Sequence, residues 1–184
     1  GEDPFLAGRM GAAAVKGFQG SDPAQQGRIA ACCKHYVGYG AAEGGRDYES
    51  VEISENTLRN TYLPPFKSCV DAGALMSAFH ENNGTPVTAN HHLLTDILKN
   101  EFGFSGFIIS DWDAVAQLVH QRVAKDGKDA AALAINAGVD MDMLSLCYIK
   151  NLEQLVAEGR VSESVIDNAV LRILTVKFRL GLFE

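Results

Sequence analysis

Four apolar runs of the 184-residue chain end in side chains that can do chemistry. The run from Gly106 to Ser110 stops at Asp111-Trp112. IAACC (29–33) stops at Lys34-His35. ALMSA (74–78) stops at Phe79-His80-Glu81-Asn82, and a short run from Val139 carries Asp140 and Asp142. A carboxylate beside an aromatic ring, as at Asp111, can serve as a nucleophile or stabilise positive charge developing on a sugar. Its plainer use is to cap the helix that follows, a job for which Asp113 is better placed. Lys34 and His35 can donate hydrogen bonds to sugar hydroxyls, and a lysine at such a position can also form a Schiff base with a carbonyl substrate. Without a ligand they are a surface lysine and a satisfied histidine.

A third group, Glu43, Arg46, Asp47 and Tyr48, surrounds two glycines that let the backbone approach a ligand closely. Arg46 and Asp47 can equally form an ion pair that stiffens the loop. Met76, Phe79 and Trp112 offer faces suited to the C–H surface of a sugar ring, although each such residue is more often core. Asp140 and Asp142 have no third ligand in sequence reach and read as polar tip residues, not as a metal site. His91-His92 reads as solvated.

The elements that must position these groups follow from periodicity. Residues 4–18 predict a helix with an apolar face of Leu6, Met10, Ala13, Ala14 and Phe18. Strands are expected near 28–35, 74–79, 106–110 and 139–143. Between them come a helical segment capped by Ser54, interrupted at Pro64-Pro65 and ended by Gly73, and a helix capped by Asn90 and ended by Gly103. Further helices are expected near 113–121 and over 127–137. A final helix capped by Ser162 carries Val165, Ile166, Ala169, Val170, Ile173 and Leu174. A long irregular loop, 36–53, holds four glycines, and loops of that length are uncommon unless functional. Alternating strand and helix implies α/β architecture with a parallel sheet, whose chemistry gathers at the C-terminal strand ends. A closed barrel takes about 250 residues, so four such units read as half of one, with an open sheet as the competing fold.

Composition sets the outer limits. With 47% hydrophobic and 21% charged residues the chain is ordinary globular protein. A net charge of −7 without a basic stripe argues against nucleic acid and against an anionic membrane surface. No run reaches the roughly 18 apolar residues of a membrane span. Cys32, Cys33, Cys69 and Cys147 show no C-x-x-C spacing and read as small buried apolar residues.

Seven blocks in fixed order resemble glycoside hydrolase family 3, the β-glucosidase and β-xylosidase group. They are GEDPFL (1–6), AACCKHYVGYGAAEGGRDY (30–48), YLPPFK (62–67), LMSAFHENNGTPVTAN (75–90), GFSGFIISDW (103–112), NAGVDMDM (136–143) and KFRLGLF (177–183). The resemblance implies that Asp111 is the nucleophile of a retaining β-glycosidase. It implies that Lys34 and His35 bind sugar hydroxyls, and that Phe79, with Met76 nearby, lines the same subsite. Arg46 and Tyr48 match the family's Gly-Gly-Arg-Asp-Tyr loop, and Trp112 follows the nucleophile. His80 departs from the pattern, where asparagine is more usual. Lys34-His35-Tyr36-Val37-Gly38, with no Asp-Ser-His loop, favours glucosidase or xylosidase over hexosaminidase.

The resemblance further implies that residues 1–184 are the C-terminal half of a TIM-like (β/α)8 catalytic barrel. An upstream half would supply an Asp and an Arg, and a second α/β sandwich domain the acid/base Glu. The implied partners are a β-linked oligosaccharide or glycoside and the remainder of the enzyme, with no metal or organic cofactor. The implied location is periplasmic or secreted, with the cytoplasm as alternative. Two rival functions are a sugar-binding half-barrel without catalysis and a Schiff-base lyase using Lys34.

Overall fold

A computed structural model describes residues 2–183. Its strands are β1 (Cys32–Tyr36), β2 (Ala74–Ser77), β3 (Glu81–Asn82), β4 (Thr85–Pro86) and β5 (Phe107–Ile109). Three of them form one sheet in the order β1-β2-β5, and both pairings are parallel. The expected strand at 139–143 contracts to a single parallel bridge, Ile109 to Met141, which continues the sheet past β5. β1 also sits later than its apolar run. Lys34 and His35 lie within the strand rather than beyond it.

Seven helices surround the sheet among the described residues. They are α1 (Pro4–Gln19), α2 (55–67), α3 (His92–Glu101), α4 (Ala114–His120), α5 (Gly127–Ala137), α6 (Cys147–Ala157) and α7 (Glu163–Arg179). The order and parallel pairing are those of (β/α) units in a TIM-like (β/α)8 barrel.

Local chemistry accounts for most of the boundaries. Ser54 Oγ accepts from the Thr57 amide at 3.1 Å, and Asn90 Oδ1 from the Leu93 amide at 3.1 Å. Asp126 caps α5 through the Asp129 amide at 2.8 Å, and Gly138 closes it at φ 116°. Ser162 precedes α7 in an extended conformation but makes no side-chain cap; its hydroxyl bonds Ser164 instead. The pair Pro64-Pro65 does not interrupt α2. The helix widens to π winding over Leu58–Tyr62, and the prolines open the α-wound turn that follows.

The core lies where α3, α4 and α5 meet the sheet. Leu93, Leu94, Ile97, Leu98, Leu118, Ala130, Ala131 and Ala134 pack with Leu75 and Ile108, all buried. Gly106 opens β5 because a Cβ there would stand 2.5 Å from the Gly73 carbonyl oxygen.

The opposite flank differs from expectation. The apolar face of α1 is not in the core: Leu6, Met10 and Phe18 are exposed, while Gly8 and Val15 are buried. The helix packs through its small residues instead. A Cβ on Gly8 would meet Ser68 Oγ at 2.6 Å. β1 is an edge of the described sheet, so Cys32 is exposed and Cys33 half-buried, whereas Cys69 and Cys147 are buried as expected. Among the described residues no helix is long and apolar enough to cross a membrane.

Candidate active site

Asp111 is held by the backbone around it. The Ser110 amide donates to Met141 O at 2.9 Å, and Ser110 Oγ donates to Asp111 O at 3.0 Å while accepting from the Met143 amide at 2.8 Å. The Asp113 amide donates to Met143 O at 3.0 Å. The chain therefore turns sharply off β5, and Asp113 takes a left-handed conformation at φ 56°. Asp113 stands at the cap position of α4 but makes no side-chain cap bond.

The Asp111 carboxylate is 7% exposed at the residue level and asymmetric in its contacts. Oδ1 accepts from the Trp112 amide at 2.7 Å. Oδ2 is buried with no hydrogen bond, and the nearest cation-capable atom is His35 Nε2 at 3.4 Å. That separation is too long for a good hydrogen bond. A buried carboxylate oxygen left without a hydrogen bond is costly to maintain. Burial lowers the His35 pKa, partly opposed by the Asp111 charge, so the imidazole is neutral at neutral pH.

The sheet topology explains the meeting of these groups. β1 and β5 flank β2 in parallel, so His35 and Asp111 reach the same end of the sheet from its two sides. His35 and Lys34 also line a cleft of about 330 Å³ whose far wall is Tyr62, Pro65 and Phe66 of α2. Asp111 is not among its walls.

The loop after β1 folds back over this end. Tyr39 sets its ring 5.1 Å from that of His35 and 5.8 Å from that of His80, and its hydroxyl donates to Asp47. Tyr48 packs on Phe79 with ring centroids 4.7 Å apart. The Phe79 carbonyl accepts from Gln121 Nε2 at 2.8 Å, tying it to the end of α4. A hairpin of β3 and β4 clamps the far end of the loop. Asn83 brackets Ile53, accepting from its amide at 2.8 Å and donating to its carbonyl at 2.7 Å. Ser50 Oγ donates to Glu81 at 2.6 Å.

Not every expected site residue joins the cluster. Arg46 is exposed and pairs with Glu49 at 3.6 Å, not with Asp47. Trp112 is 60% exposed and meets Asp111 through its amide. Met76 is buried within β2, in register with Ile109. Asp140 and Asp142 are structural: Asp140 accepts from Lys99 and from the Ile108 amide, and Asp142 from Ser145 and the Tyr148 amide. His91 and His92 are exposed, as expected, and flank Asp96 at 3.4 Å each. Tyr39, Gln121 and the hairpin were not anticipated from sequence. The Asn83-Gly84 pair, at φ 50° and 79°, is the signal that could have revealed the hairpin.

Relatives give this geometry a context. The chain matches the family described as "Glycosyl hydrolase family 3 N terminal domain" over residues 1–176. It is 42% identical to a periplasmic beta-glucosidase of Salmonella typhimurium, covering 100% of this chain and 24% of that protein. It is 38% identical to a beta-xylosidase of Formosa agariphila, covering 100% of this chain and 27% of that one. Among solved structures, a beta-glucosidase from Listeria innocua in complex with isofagomine superposes with a TM-score of 0.96 at 42% identity. That match takes in 100% of this chain and 26% of the other. The chain thus spans about a quarter of the length of the relatives it matches. With its parallel (β/α) units and its matched residues, the chain belongs to glycosyl hydrolase family 3.

Proposed function

We propose that this chain supplies the nucleophile-bearing wall of a retaining β-glycosidase site acting on terminal β-D-glucosides. The observation that carries the reading is the free, buried Oδ2 of Asp111 at the C-terminal strand ends, 3.4 Å from His35. Oδ2 attacks the anomeric carbon as the bond from that carbon to the leaving oxygen breaks. The leaving oxygen takes a proton from a glutamic acid elsewhere in the whole protein. Water then attacks the same carbon, the glutamate removes its proton, and the Asp111 ester bond breaks. Lys34 and His35 donate to sugar hydroxyls. Phe79 and Tyr48, packed on each other, form the apolar side.

The acid is not on this chain in this reading. Glu81 is engaged by Ser50, and Glu43 is exposed. Two carboxyls of a retaining pair sit about 5–5.5 Å apart, which an outside residue must satisfy. The relatives' greater length is consistent with that, and with further strands that would cover the β1 edge and the exposed Leu6, Met10 and Phe18. On this view residues 1–184 are half of a catalytic barrel. The isolated chain then associates, and a compact monomer with one cooperative melt in sedimentation and heating would count against it. A periplasmic or secreted setting accords with the name of the Salmonella relative.

The stereochemistry of the first product tests the mechanism. NMR of the full-length protein acting on nitrophenyl β-glucoside should show β-glucose forming first; α-glucose would overturn it. The xylosidase relatives favour a second substrate reading, and the ratio of kcat/KM for glucoside and xyloside decides between the two.

A further inference from the structure

His80 is fully buried where a packing residue would serve at less cost. Its Nε2 lies 3.1 Å from the Val37 carbonyl oxygen. A carbonyl only accepts, so Nε2 carries the proton and Nδ1 is left as an acceptor. Nδ1 is buried with no partner. An orphaned buried acceptor is destabilising, a penalty that a leucine or phenylalanine here would avoid.

What the imidazole holds is the segment between His35, which faces Asp111, and Tyr39, which packs against His35. Val37 is two residues after His35 and two before Tyr39. The His80 ring also neighbours Tyr39, which in turn neighbours the His35 ring. The His80 carbonyl in turn accepts from the Val87 amide at 3.0 Å, so the residue is itself anchored by the chain that follows the hairpin. A continuous series of contacts runs from His80 through Val37 and Tyr39 to His35, and ends 3.4 Å from Asp111 Oδ2.

We propose that His80 is a positioning residue for His35, acting through the Val37 carbonyl and the Tyr39 ring to set His35 against Asp111. The proposal rests on the reading of Asp111 as nucleophile. Two readouts on the full-length protein separate the two claims. The first is the rate of covalent labelling by a 2-deoxy-2-fluoro glucoside with an activated leaving group, which reports attack by Asp111. The second is the titration of His35 followed by NMR of the 15N-histidine-labelled protein, which reports its surroundings without turnover.

His80→Leu should slow labelling by about 10–100-fold, with the binding constant for the reagent little changed, and should move the His35 titration. His80→Gln places an amide donor near the position of Nε2 and should recover most of both effects. Tyr39→Leu should slow labelling as His80→Leu does. Should His80→Leu not fold, the Tyr39→Leu and His80→Gln pair decides. Unchanged labelling and an unchanged His35 titration in the folded variants overturn the positioning role. So does a His80→Gln protein that folds but behaves no better than His80→Leu. A wild-type protein that takes no label at Asp111, while the His35 titration still moves in His80→Leu, overturns the nucleophile and leaves the positioning link standing.

Discussion

Asp111 and Asp140 are 7% and 8% exposed, lie beside the same strand, and are used in opposite ways. Both Asp140 oxygens are committed: Oδ1 accepts from Lys99 Nζ at 2.8 Å and Oδ2 from the Ile108 amide at 2.7 Å. Lys99 also donates to the Gly138 carbonyl at 2.7 Å. Burial raises the Asp140 pKa and lowers that of Lys99, and each charge opposes the shift of the other. Removing either partner strands a buried charge. Asp111 has one oxygen on its own neighbour's amide and one on nothing. A fully bonded buried carboxylate is framework, whereas a half-bonded one at a strand tip is consistent with the nucleophile proposed above.

The largest effect expected from this contrast is on turnover. Asp111→Ala in the full-length protein should lower kcat by about 10⁴–10⁶-fold, as for other nucleophile losses. Its stability should change by no more than about 1 kcal/mol, because losing the bond from the Trp112 amide to Oδ1 is offset by removing the buried, unbonded Oδ2. Kinetics and urea denaturation measure both, and a stable, active variant would erase the contrast. Lys99→Met should do the reverse. It should lose about 3–5 kcal/mol and, where it still folds, keep its rate per folded molecule. The double variant Lys99→Met with Asp140→Leu should lose less than Lys99→Met alone, since no charge is stranded.

A smaller effect is expected with pH. The His35 pKa is held by burial below its unfolded value of about 6.5. The unfolded chain then binds more protons than the folded one as pH falls from there. This contribution to stability is complete above about pH 6.5 and is lost below it. Melting temperature followed from pH 7.5 down to about 5.5 should fall less steeply in His35→Gln than in wild type. His80, whose pKa is likewise lowered by burial, adds a similar slope that His35→Gln leaves intact.

The smallest effect concerns a third aspartate. From sequence, Asp113 is the helix cap, and its loss would cost about 0.5–2 kcal/mol. In the structure it makes no cap bond and sits at φ 56°. Asp113→Ala should therefore lose no cap, and Asp113→Gly should be at least as stable as Asp113→Ala because glycine accepts a left-handed backbone without penalty. A full capping loss in Asp113→Gly would show that its side chain is engaged after all.

The pattern of these residues was legible where period and cap agreed. The spans at 127–137 and around Leu93–Leu98 appear as expected, because apolar spacing and a closing glycine coincide there, with Asn90 also legible as the cap of the second. Asp111 at the tip of β5 was legible for the same reason: a short β-branched run can end only at a tip. The face of α1 was not, since its exposed leucine and phenylalanine outweigh the glycines through which it packs. α6 escaped notice because it starts from a left-handed Leu146, with its caps supplied from upstream by Asp142 and Ser145. The contacts of Tyr39 and His80 depend on how two loops cross, which no local spacing encodes.

The nucleophile proposal requires that Asp111, and no other acid of this chain, forms a bond to the sugar. Treating the full-length protein with a 2-deoxy-2-fluoro glucoside and mapping the digest by mass spectrometry addresses it directly. One glycosyl unit is expected on the peptide that contains Ser110-Asp111-Trp112, carried by Asp111 and absent from Asp111→Ala. Label on Asp113, Glu43 or Glu81, or turnover of the natural glycoside with no covalent adduct at Asp111, would contradict it.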